Sequence, residues 1–282
     1  MIKYLNCKDV QKEMIFEAFN IGFQDYMVQL KVSMEVFFER FFGPEGNNIE
    51  NSFIAIDGNN PVGLILGGIK EFDGLKTMRC GALCIDPNYR GIGVSKELFS
   101  LHKEKALNEG CQSLFLEVIK GNDRAIKFYE KTGYEKKYDI IYYNCNDFTK
   151  LNYYKKNYEV KSLDFYDFNK LNKNLRNIHI NWQNDLDYLS KLSGVKYFGI
   201  FDNKNLMGSL AISPNGKVFM IYVEPIYRNK GVASTLLSES VNKLNLKMIA
   251  INYPDNIKLD DYLEKMGFTR NSLSQYEMYM KL

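Results

Sequence analysis

Histidine is scarce in this sequence, and its cysteines show no pairing pattern. The 282 residues contain two histidines, His102 and His179, and neither has a second histidine at metal-binding spacing. The number of cysteines is odd and no two form a CxxC motif, so the sequence predicts neither a disulfide framework nor a zinc site. We expect reduced, mostly buried thiols at Cys7, Cys80, Cys84, Cys111 and Cys145.

Long hydrophobic runs and a strong excess of one charge are also missing. No apolar run approaches the length of a membrane span, and the first residues contain no apolar core of signal-peptide length. The net charge of +3 is too small to indicate a nucleic-acid-binding or membrane-binding protein. We therefore expect a cytoplasmic protein with no nucleic-acid partner and no membrane partner.

The chain does contain an internal repeat. Residues 89–95 read Tyr-Arg-Gly-Ile-Gly-Val-Ser, and residues 227–234 read Tyr-Arg-Asn-Lys-Gly-Val-Ala-Ser. Each copy follows an apolar run that ends in a proline, and each leads into a helix-like stretch. A strand, a tight loop of small residues and a helix start form an anion cradle, because N–H groups point outward there and the helix dipole favours negative charge. The repeat predicts two such cradles and a ligand that carries a pyrophosphate.

The order of predicted elements also indicates a duplication. The first half reads as helices at 8–19 and 33–42, strands at 52–56, 62–68 and 77–85, a helix at 94–108, a strand at 113–118, a helix at 122–132 and a strand at 137–144. The second half reads as strands at 196–201, 207–212 and 217–223, a helix at 233–245, a strand at 247–252, a helix at 256–266 and a strand at 275–280. Residues 144–156 are polar and predict a linker. We expect an α/β (mixed α+β) protein of two domains, 1–147 and 148–282, the second shortened at its start.

Two motifs carry a resemblance to a known family. Arg228 to Ala233 fits Arg/Gln-x-x-Gly-x-Gly/Ala after a central strand, and Arg90 to Ser95 departs from it only in having Ser95, another small residue, at the last position. In addition, Asn122, Ala125 and Phe128-Tyr129 precede Gly133. Each half resembles the GCN5-related N-acetyltransferase (GNAT) superfamily, over nearly all of 1–147 and about 195–282. The resemblance implies two tandem domains, each a mixed, mostly antiparallel sheet flanked by helices. It also implies that acetyl-CoA binds in a gap between two central parallel strands and that the acetyl group moves directly to an amine.

The resemblance assigns CoA binding to residues of both halves. The loop and helix start would bind the pyrophosphate, the adjacent strand edge would bind the pantetheine, and an asparagine would orient a CoA amide. In the first half these residues are Leu83, Cys84, Ile85, Arg90, Gly91, Ile92, Gly93, Val94, Ser95 and Asn122. In the second half they are Tyr222, Val223, Arg228, Asn229, Lys230, Gly231, Val232, Ala233, Ser234 and Asn256. For each loop the alternative is a tight turn that binds nothing, and for Asn122 it is a helix N-cap.

Tyr129 is the catalytic candidate that the resemblance implies. Its hydroxyl would protonate the departing thiolate as a general acid. The alternative is an aromatic ring packed on the inner face of its helix. The second half has Leu263 at the corresponding position, and Tyr262 is one residue away, which is about 100° around a helix. We therefore expect catalysis in the first domain.

The base and the acceptor pocket are less well defined. Glu71, Asp73 and Glu117 lie on or near strands that could face the site, and the sequence prefers none of them as the base. We expect the first two helices and their loop to form the acceptor pocket, where Asp25 either meets an ammonium group or is a rim charge. This region is rich in aromatic residues, which core packing also explains: Phe19, Phe23, Tyr26, Phe37, Phe38, Phe41 and Phe42.

Three functional hypotheses remain open. The first is an acetyl-CoA-dependent N-acetyltransferase that acts, as a monomer or homodimer, on a primary amine of a small molecule or peptide. The second is an acyl-CoA-binding regulatory or scaffold protein with a degenerate second domain, whose residues 148–282 carry a net charge of +6 and could meet an acidic partner. In the third, the second domain serves as an internal partner that walls the acceptor cleft. The fold class does not identify the amine.

Overall fold

The protein folds into two compact units. The structure, a computed structural model, describes residues 1–29, 31–173, 175 and 178–282. Unit 1 contains residues 1–137 and 276–282, and unit 2 contains residues 138–275. These units differ from the predicted stretches 1–147 and 148–282 in the position of two strands. The end of the last strand, residues 276–281, belongs to unit 1, and most of the strand that begins at Glu135 belongs to unit 2.

The helices and strands predicted from the sequence occur in the predicted order, and the structure adds elements at 2–6, 149–154, 160–163, 165–171 and 186–190. In chain order they are β1 (Ile2–Asn6), α1 (Lys12–Phe23), α2 (Met34–Phe41), β2 (Asn48–Asp57), β3 (Asn60–Phe72), β4 (Leu75–Ile85), α3 (Val94–Asn108), β5 (Ser113–Ile119), α4 (Asp123–Thr132), β6 (Glu135–Cys145), α5 (Thr149–Tyr154), β7 (Val160–Leu163), α6 (Phe165–Leu171), α7 (Leu186–Ser190), β8 (Lys196–Asp202), β9 (Asn205–Ile212), β10 (Lys217–Val223), α8 (Val232–Leu244), β11 (Ile249–Pro254), α9 (Asp260–Lys265) and β12 (Thr269–Lys281).

Each unit contains a mixed sheet. The strand order is β1-β2-β3-β4-β5-β12 in unit 1, to which β12 contributes residues 276–281, and β6-β11-β10-β9-β8-β7 in unit 2. In unit 1, β4 and β5 are parallel, and the pairs from β1 to β4 are antiparallel. In unit 2, β10 and β11 are parallel, and the other neighbours are antiparallel. The predicted fold class, a mostly antiparallel sheet with helices built twice, is confirmed.

The two parallel strands of each unit pair briefly and then diverge. In unit 1 the pairing ends at Arg79 opposite Phe115, although β4 continues to Ile85. In unit 2 it ends at Val218 opposite Ile251, and β10 again continues. A β-bulge lies close to each point of divergence, and bulges bend the strand that carries them. Each unit therefore has an opening between the carboxyl ends of its parallel strands.

Helices pack on the sheet of unit 1 in two hydrophobic clusters. One cluster brings α3 and α4 together with the sheet, and Met278 and Met280 of β12 are buried members of it. The other brings α1 and α2 onto β2, β3 and β4 around the fully buried Phe19 and Phe37. The burial of the two methionines explains why the end of β12, residues 276–281, belongs to unit 1 rather than to unit 2.

Two predicted elements of the second half need correction. The helix predicted from Asn256 begins at Asp260, with Leu259 as its N-cap, so Asn256 lies before the helix. The segment predicted as a linker contains helix α5, whose Leu151 is fully buried in the core of unit 2.

Candidate active site

The first cradle, residues 86–95, is a strand-to-helix loop that lies open. A short 3-10 turn, Pro87–Tyr89, follows β4, and Gly91 and Gly93 adopt φ angles of +82° and +100°. Gly93 caps α3 without a side chain, and the first N–H groups of a helix have no partner within it. A Cβ atom at Gly91 or Gly93 would meet no atom within 4 Å in the described part of the chain. The first cradle can therefore accept an anion close to its backbone.

The second cradle, residues 224–234, repeats this geometry in detail. Asn229 and Gly231 have φ angles of 60° and 80°, and α8 begins directly after Gly231. The Tyr227 hydroxyl donates to Asp202 over 3.3 Å, as the Tyr89 hydroxyl donates to Asp57 over 3.1 Å. The duplication therefore includes side-chain contacts as well as the backbone course.

The second cradle differs from the first because its own chain covers it. A Cβ atom at Gly231 would lie 2.7 Å from Cγ of Lys156 and 2.9 Å from the carbonyl oxygen of Tyr154. The Tyr158 hydroxyl donates to the Lys230 carbonyl over 3.2 Å, and the Lys156 N–H donates to Oγ1 of Thr235 over 2.9 Å. We call residues 154–158 the covering segment. A phosphate at this loop would have to compete with a backbone carbonyl and an aliphatic side chain.

Arg90 and Arg228 point their guanidinium groups at the strand end. Nε of Arg90 donates to the Ile85 carbonyl over 3.1 Å, and Nε of Arg228 donates to the Val223 carbonyl over 3.2 Å. Arg90 also forms a forked pair with the carboxylate of Asp25. Asp25, the candidate for meeting an ammonium group, is therefore paired within the protein.

The predicted pantetheine edge lies on the diverging part of each parallel pair. Leu83, Cys84 and Ile85 follow the last paired residue of β4, and Tyr222 and Val223 follow that of β10. The Cys84 thiol contacts the Ala18 carbonyl at 3.6 Å, and burial raises its pKa well above the usual thiol range. This side chain packs against α1, and its raised pKa argues against a nucleophilic role.

Tyr129 lies on the inner face of α4, next to the divergence of β4 and β5. Its side chain is 7% exposed, and its hydroxyl lies beside the Cys80 thiol. Burial raises the pKa of Tyr129 well above 10, and the neighbouring Cys80 and Tyr134 raise it further. Its ring also packs against Phe128 and Tyr134. The ring therefore has the packing role, while the hydroxyl is available for the acid role, so the two interpretations of Tyr129 are compatible.

The two candidate amide ligands have different surroundings. Oδ1 of Asn122 accepts from the Ala125 N–H over 3.3 Å and caps α4, and the Asn122 side chain interacts with the Tyr26 hydroxyl. Nδ2 of Asn256 instead donates to the His179 carbonyl over 3.2 Å. The predicted correspondence of Asn256 with Asn122 therefore does not extend to their surroundings.

Of the three candidate bases, Glu117 is the enclosed one. Glu71 and Asp73 are exposed near the turn between β3 and β4, where Asp73 has a φ of 50°. Glu117 is 4% exposed at its side chain, and its Oε2 accepts from Nη2 of Arg79 over 2.5 Å. Its Oε1 is buried and, among the described residues, meets no hydrogen-bond donor. Arg79 also pairs with the buried Glu45 over 2.7 Å, which fixes the guanidinium between two carboxylates.

The strand register identifies the counterpart of Glu117 in unit 2. Each bulge falls one residue after Cys80 on β4 and one residue after Val218 on β10, so these two residues correspond. On the neighbouring parallel strands, Leu116 of β5 is level with Cys80 and Ile251 of β11 is level with Val218. The next residue of each strand is Glu117 in unit 1 and Asn252 in unit 2, so these two residues also correspond. Asn252 went unnoticed in the sequence because the repeat does not keep a constant spacing.

The aromatic side chains of α1 and α2 mainly build the core. Phe19 and Phe37 are fully buried, and their rings pack at centroid distances of 4.7 Å. The remaining rings of the group make further contacts at about the same distances, among them Phe23 with Tyr26 and Phe38 with Phe42.

Comparisons with known proteins agree with this geometry. Residues 12–134 match the acetyltransferase (GNAT) family, and residues 181–282 match the acetyltransferase (GNAT) domain. The chain belongs to the GNAT family. Both predicted resemblances are thereby confirmed.

Curated relatives of this GNAT protein align with only part of it. An acetyltransferase of Sodalis glossinidius is 36% identical over 83 residues, which is 28% of this chain and 54% of that protein. N-alpha-acetyltransferase 30 of Saccharomyces cerevisiae is 28% identical over 107 residues, which is 35% of this chain and 59% of that protein. The chain thus spans somewhat more than half the length of these relatives.

Solved structures share the fold over the whole chain. A tandem GNAT protein from the clavulanic acid biosynthesis pathway has a TM-score of 0.70 at 13% identity and covers 100% of this chain and 98% of its own. A GCN5-related N-acetyltransferase from Sphaerobacter thermophilus has a TM-score of 0.66 at 10% identity, over 100% of this chain and 95% of its own. At these identities the likeness concerns the fold alone.

Proteins of the GNAT fold use acyl-CoA, and unit 1 fits such a ligand. The first cradle is open at both glycines, and it stands beside the diverging edge of β4. Within the described ranges, no helix has the length and apolar character to cross a membrane. No group of three potential metal-ligating acidic, histidine or cysteine side chains occurs in the same ranges.

Proposed function

We propose that this GNAT protein transfers an acetyl group from acetyl-CoA to a primary amine of a small molecule or peptide, and that unit 1 carries the reaction. The observation behind the proposal is a phenol and a carboxylate on opposite faces of one opening, beside an open anion cradle. The Tyr129 hydroxyl lies beside the Cys80 thiol, and the Glu117 carboxylate pairs with Arg79. Because Arg79 and Cys80 are successive residues of β4, their side chains point to opposite faces of the sheet, and so the phenol and the carboxylate lie on opposite faces as well.

Acetyl-CoA supplies the acyl group as an activated thioester. The N–H groups of residues 91–95 would hold its pyrophosphate, since they lie at a helix start with a favourable dipole. The edge of β4 at residues 83–85 would hold the pantetheine by main-chain hydrogen bonds. Ser95 adds a hydroxyl donor at the start of α3.

Tyr129 would hold the proton that the departing thiolate requires. A tyrosine hydroxyl is protonated at neutral pH, and burial raises the pKa of Tyr129 further, so this hydroxyl is a donor there. A general acid placed in this way contributes typically about 10²–10⁴-fold to a rate.

Glu117 would accept the proton that the attacking amine must lose. Its Oε1 is an acceptor without a donor among the described residues, and Arg79 holds the other oxygen in place. Glu71 and Asp73 remain weaker candidates because both are solvent-exposed.

Unit 2 has other side chains at the two positions that correspond to Tyr129 and Glu117. Leu263, 1% exposed, takes the position of Tyr129, and Asn252 takes that of Glu117. The covering segment lies on the second cradle. We propose that unit 2 is structural and that one acetyl-CoA binds per chain. Cytoplasmic location and a monomer or homodimer remain predictions from the sequence.

The decisive experiment measures thiol release from acetyl-CoA with a panel of primary amines and peptides. We expect Tyr129→Phe to lower kcat about 10²–10⁴-fold while CoA affinity stays unchanged, because the ring packing is kept and only the hydroxyl is lost. Tyr262→Phe, which removes the phenol nearest in sequence to Leu263, is the matched control and should keep full activity.

Full kcat in Tyr129→Phe over a wide pH range would contradict the acid role. Tight CoA binding without turnover across the panel would instead favour the regulatory or scaffold protein.

A further inference from the structure

The guanidinium of Arg90 is engaged by the end of helix α1 and by the loop that follows it. Its Nη1 donates to Oδ2 of Asp25 over 2.5 Å, and its Nη2 donates to Oδ1 over 2.7 Å, which is a bidentate pair. Nη2 also donates to the Gly22 carbonyl over 3.4 Å, and Nε donates to Ile85. These contacts tie the end of α1 to the end of β4. They leave few donors for a phosphate, because a guanidinium has five N–H groups.

Residues 24–27, the loop that follows α1, cross the opening between β4 and β5. Asp25 meets Arg90, which follows β4 in the chain, and Tyr26 interacts with Asn122, which follows β5. Cε of Met27 lies 3.8 Å from the position of a Cβ atom at Gly121, also beyond β5. Because β4 and β5 are parallel, these contacts hold the loop at the carboxyl ends of both strands.

The end of α1 gives this loop a fixed starting point. A Cβ atom at Gly22 would lie 2.5 Å from Sγ of Cys84, so helix and strand approach as closely as a glycine allows. This contact lies three residues before Asp25. Its course across the opening therefore depends on the pairs formed beyond the helix.

We propose that Arg90 and Asp25 form a clamp that holds residues 24–27 across the opening, so that Arg90 is a positioning residue rather than a pyrophosphate ligand. This inference rests on the proposed function, since it assigns the acceptor entrance of that same site. The backbone N–H groups of the first cradle bind the anion without Arg90. Loss of the clamp then raises the KM for the amine more than it lowers kcat, and CoA affinity stays nearly constant.

Unit 2 offers a matched comparison. Arg228 makes the same Nε contact with a strand carbonyl over 3.2 Å. Within the described ranges, however, no carboxylate lies within ion-pair distance of it. The pair with Asp25 is thus an addition to the repeated loop, and it accompanies helix α1 of unit 1.

The test is amide hydrogen exchange over residues 24–29 in the full chain, for Asp25→Asn, Arg90→Gln and the double variant. We expect faster exchange of this segment by a similar factor in both single variants and no further increase in the double variant. Arg228→Gln is the control and should leave the segment unchanged. Asp25→Glu keeps the charge and should restore part of the protection, which a general loss of folding would not produce.

Titration with CoA separates the two roles of Arg90. A clamp predicts nearly unchanged affinity in Asp25→Asn and in Arg90→Gln. A loss of about tenfold or more in Arg90→Gln, with unchanged exchange in Asp25→Asn, would overturn the proposal and make Arg90 a phosphate ligand. If no amine is acetylated, the proposed function fails, but the exchange data still decide the clamp because they require no turnover.

Discussion

At the scale of single residues, His102 has an unusual environment. It lies on α3, is fully buried, and neither ring nitrogen has a hydrogen-bond partner among the described residues. Burial lowers its pKa to about 4, because the charged imidazolium is poorly solvated inside the protein. In the sequence, the histidines were considered only as metal ligands. Residue type does not indicate that His102 is buried without a hydrogen-bond partner among the described residues.

His102 predicts an acid-sensitive fold. The unfolded chain takes up a proton near pH 6.5 and the folded chain only near pH 4, so the unfolded state binds more protons between these values. Stability is therefore full above about pH 6.5 and falls by about 3 kcal/mol as the pH drops towards 4. Urea unfolding at several pH values measures this slope, and His102→Leu should remove most of it. His179→Gln is the control and should keep it. An equal slope in wild type and His102→Leu would assign the effect to other groups.

Other residue-level features could be predicted only in part. Tyr129 was found from a local motif, and its burial beside Cys80 agrees with that motif. The partner of Arg90 was not found, because Asp25 lies 65 residues away and the two meet only after α1 has packed on β4. Asn252 required the register of two strands and the bulge in β10.

At the scale of elements, the two cradles were predictable because their signals are local. A strand, a proline, small residues and a helix start follow one another within a few positions, and α3 has the predicted bounds. Helix α5 was missed because its stability comes from packing. Asn152 accepts a hydrogen bond from Ser238 over 2.6 Å, and Leu151 is buried against the core of unit 2.

The two cap glycines, Gly93 and Gly231, test whether one cradle or both accept CoA. Alanine at either has a positive φ, which costs about 1–2 kcal/mol. Gly231→Ala would also collide with Tyr154 and Lys156, whereas Gly93→Ala meets no described atom within 4 Å. We expect Gly231→Ala to lose more stability in urea unfolding and to keep its CoA affinity. We expect Gly93→Ala to lose less stability and to bind CoA more weakly, since its methyl group projects into the open cradle. Weaker CoA binding in Gly231→Ala, or two CoA molecules per chain, would mean that the second cradle also binds the cofactor.

At the scale of the whole molecule, the two compact units do not coincide with the two sequence repeats, because residues 276–282 belong to unit 1 and residues 138–147 belong to unit 2. Local pattern shows that 275–280 is a strand. It does not show which sheet the strand joins, because that depends on contacts with residues far away in the chain. Residues 276–282 complete unit 1, where the Leu282 N–H donates to the Gln112 carbonyl over 3.0 Å.

This arrangement predicts that the C-terminal residues control CoA binding by the first cradle. Met278 is fully buried in the cluster that contains α3, so Met278→Ala should cost unit 1 about 2–5 kcal/mol. CoA binding should then be lost at a lower urea concentration than in the wild type. Lys281→Ala, at an exposed position of the same strand, is the control. The single tryptophan, Trp182, is buried in unit 2 and reports on that unit separately by fluorescence. A shift confined to the Trp182 transition, with CoA binding intact, would place residues 276–282 in the second unit.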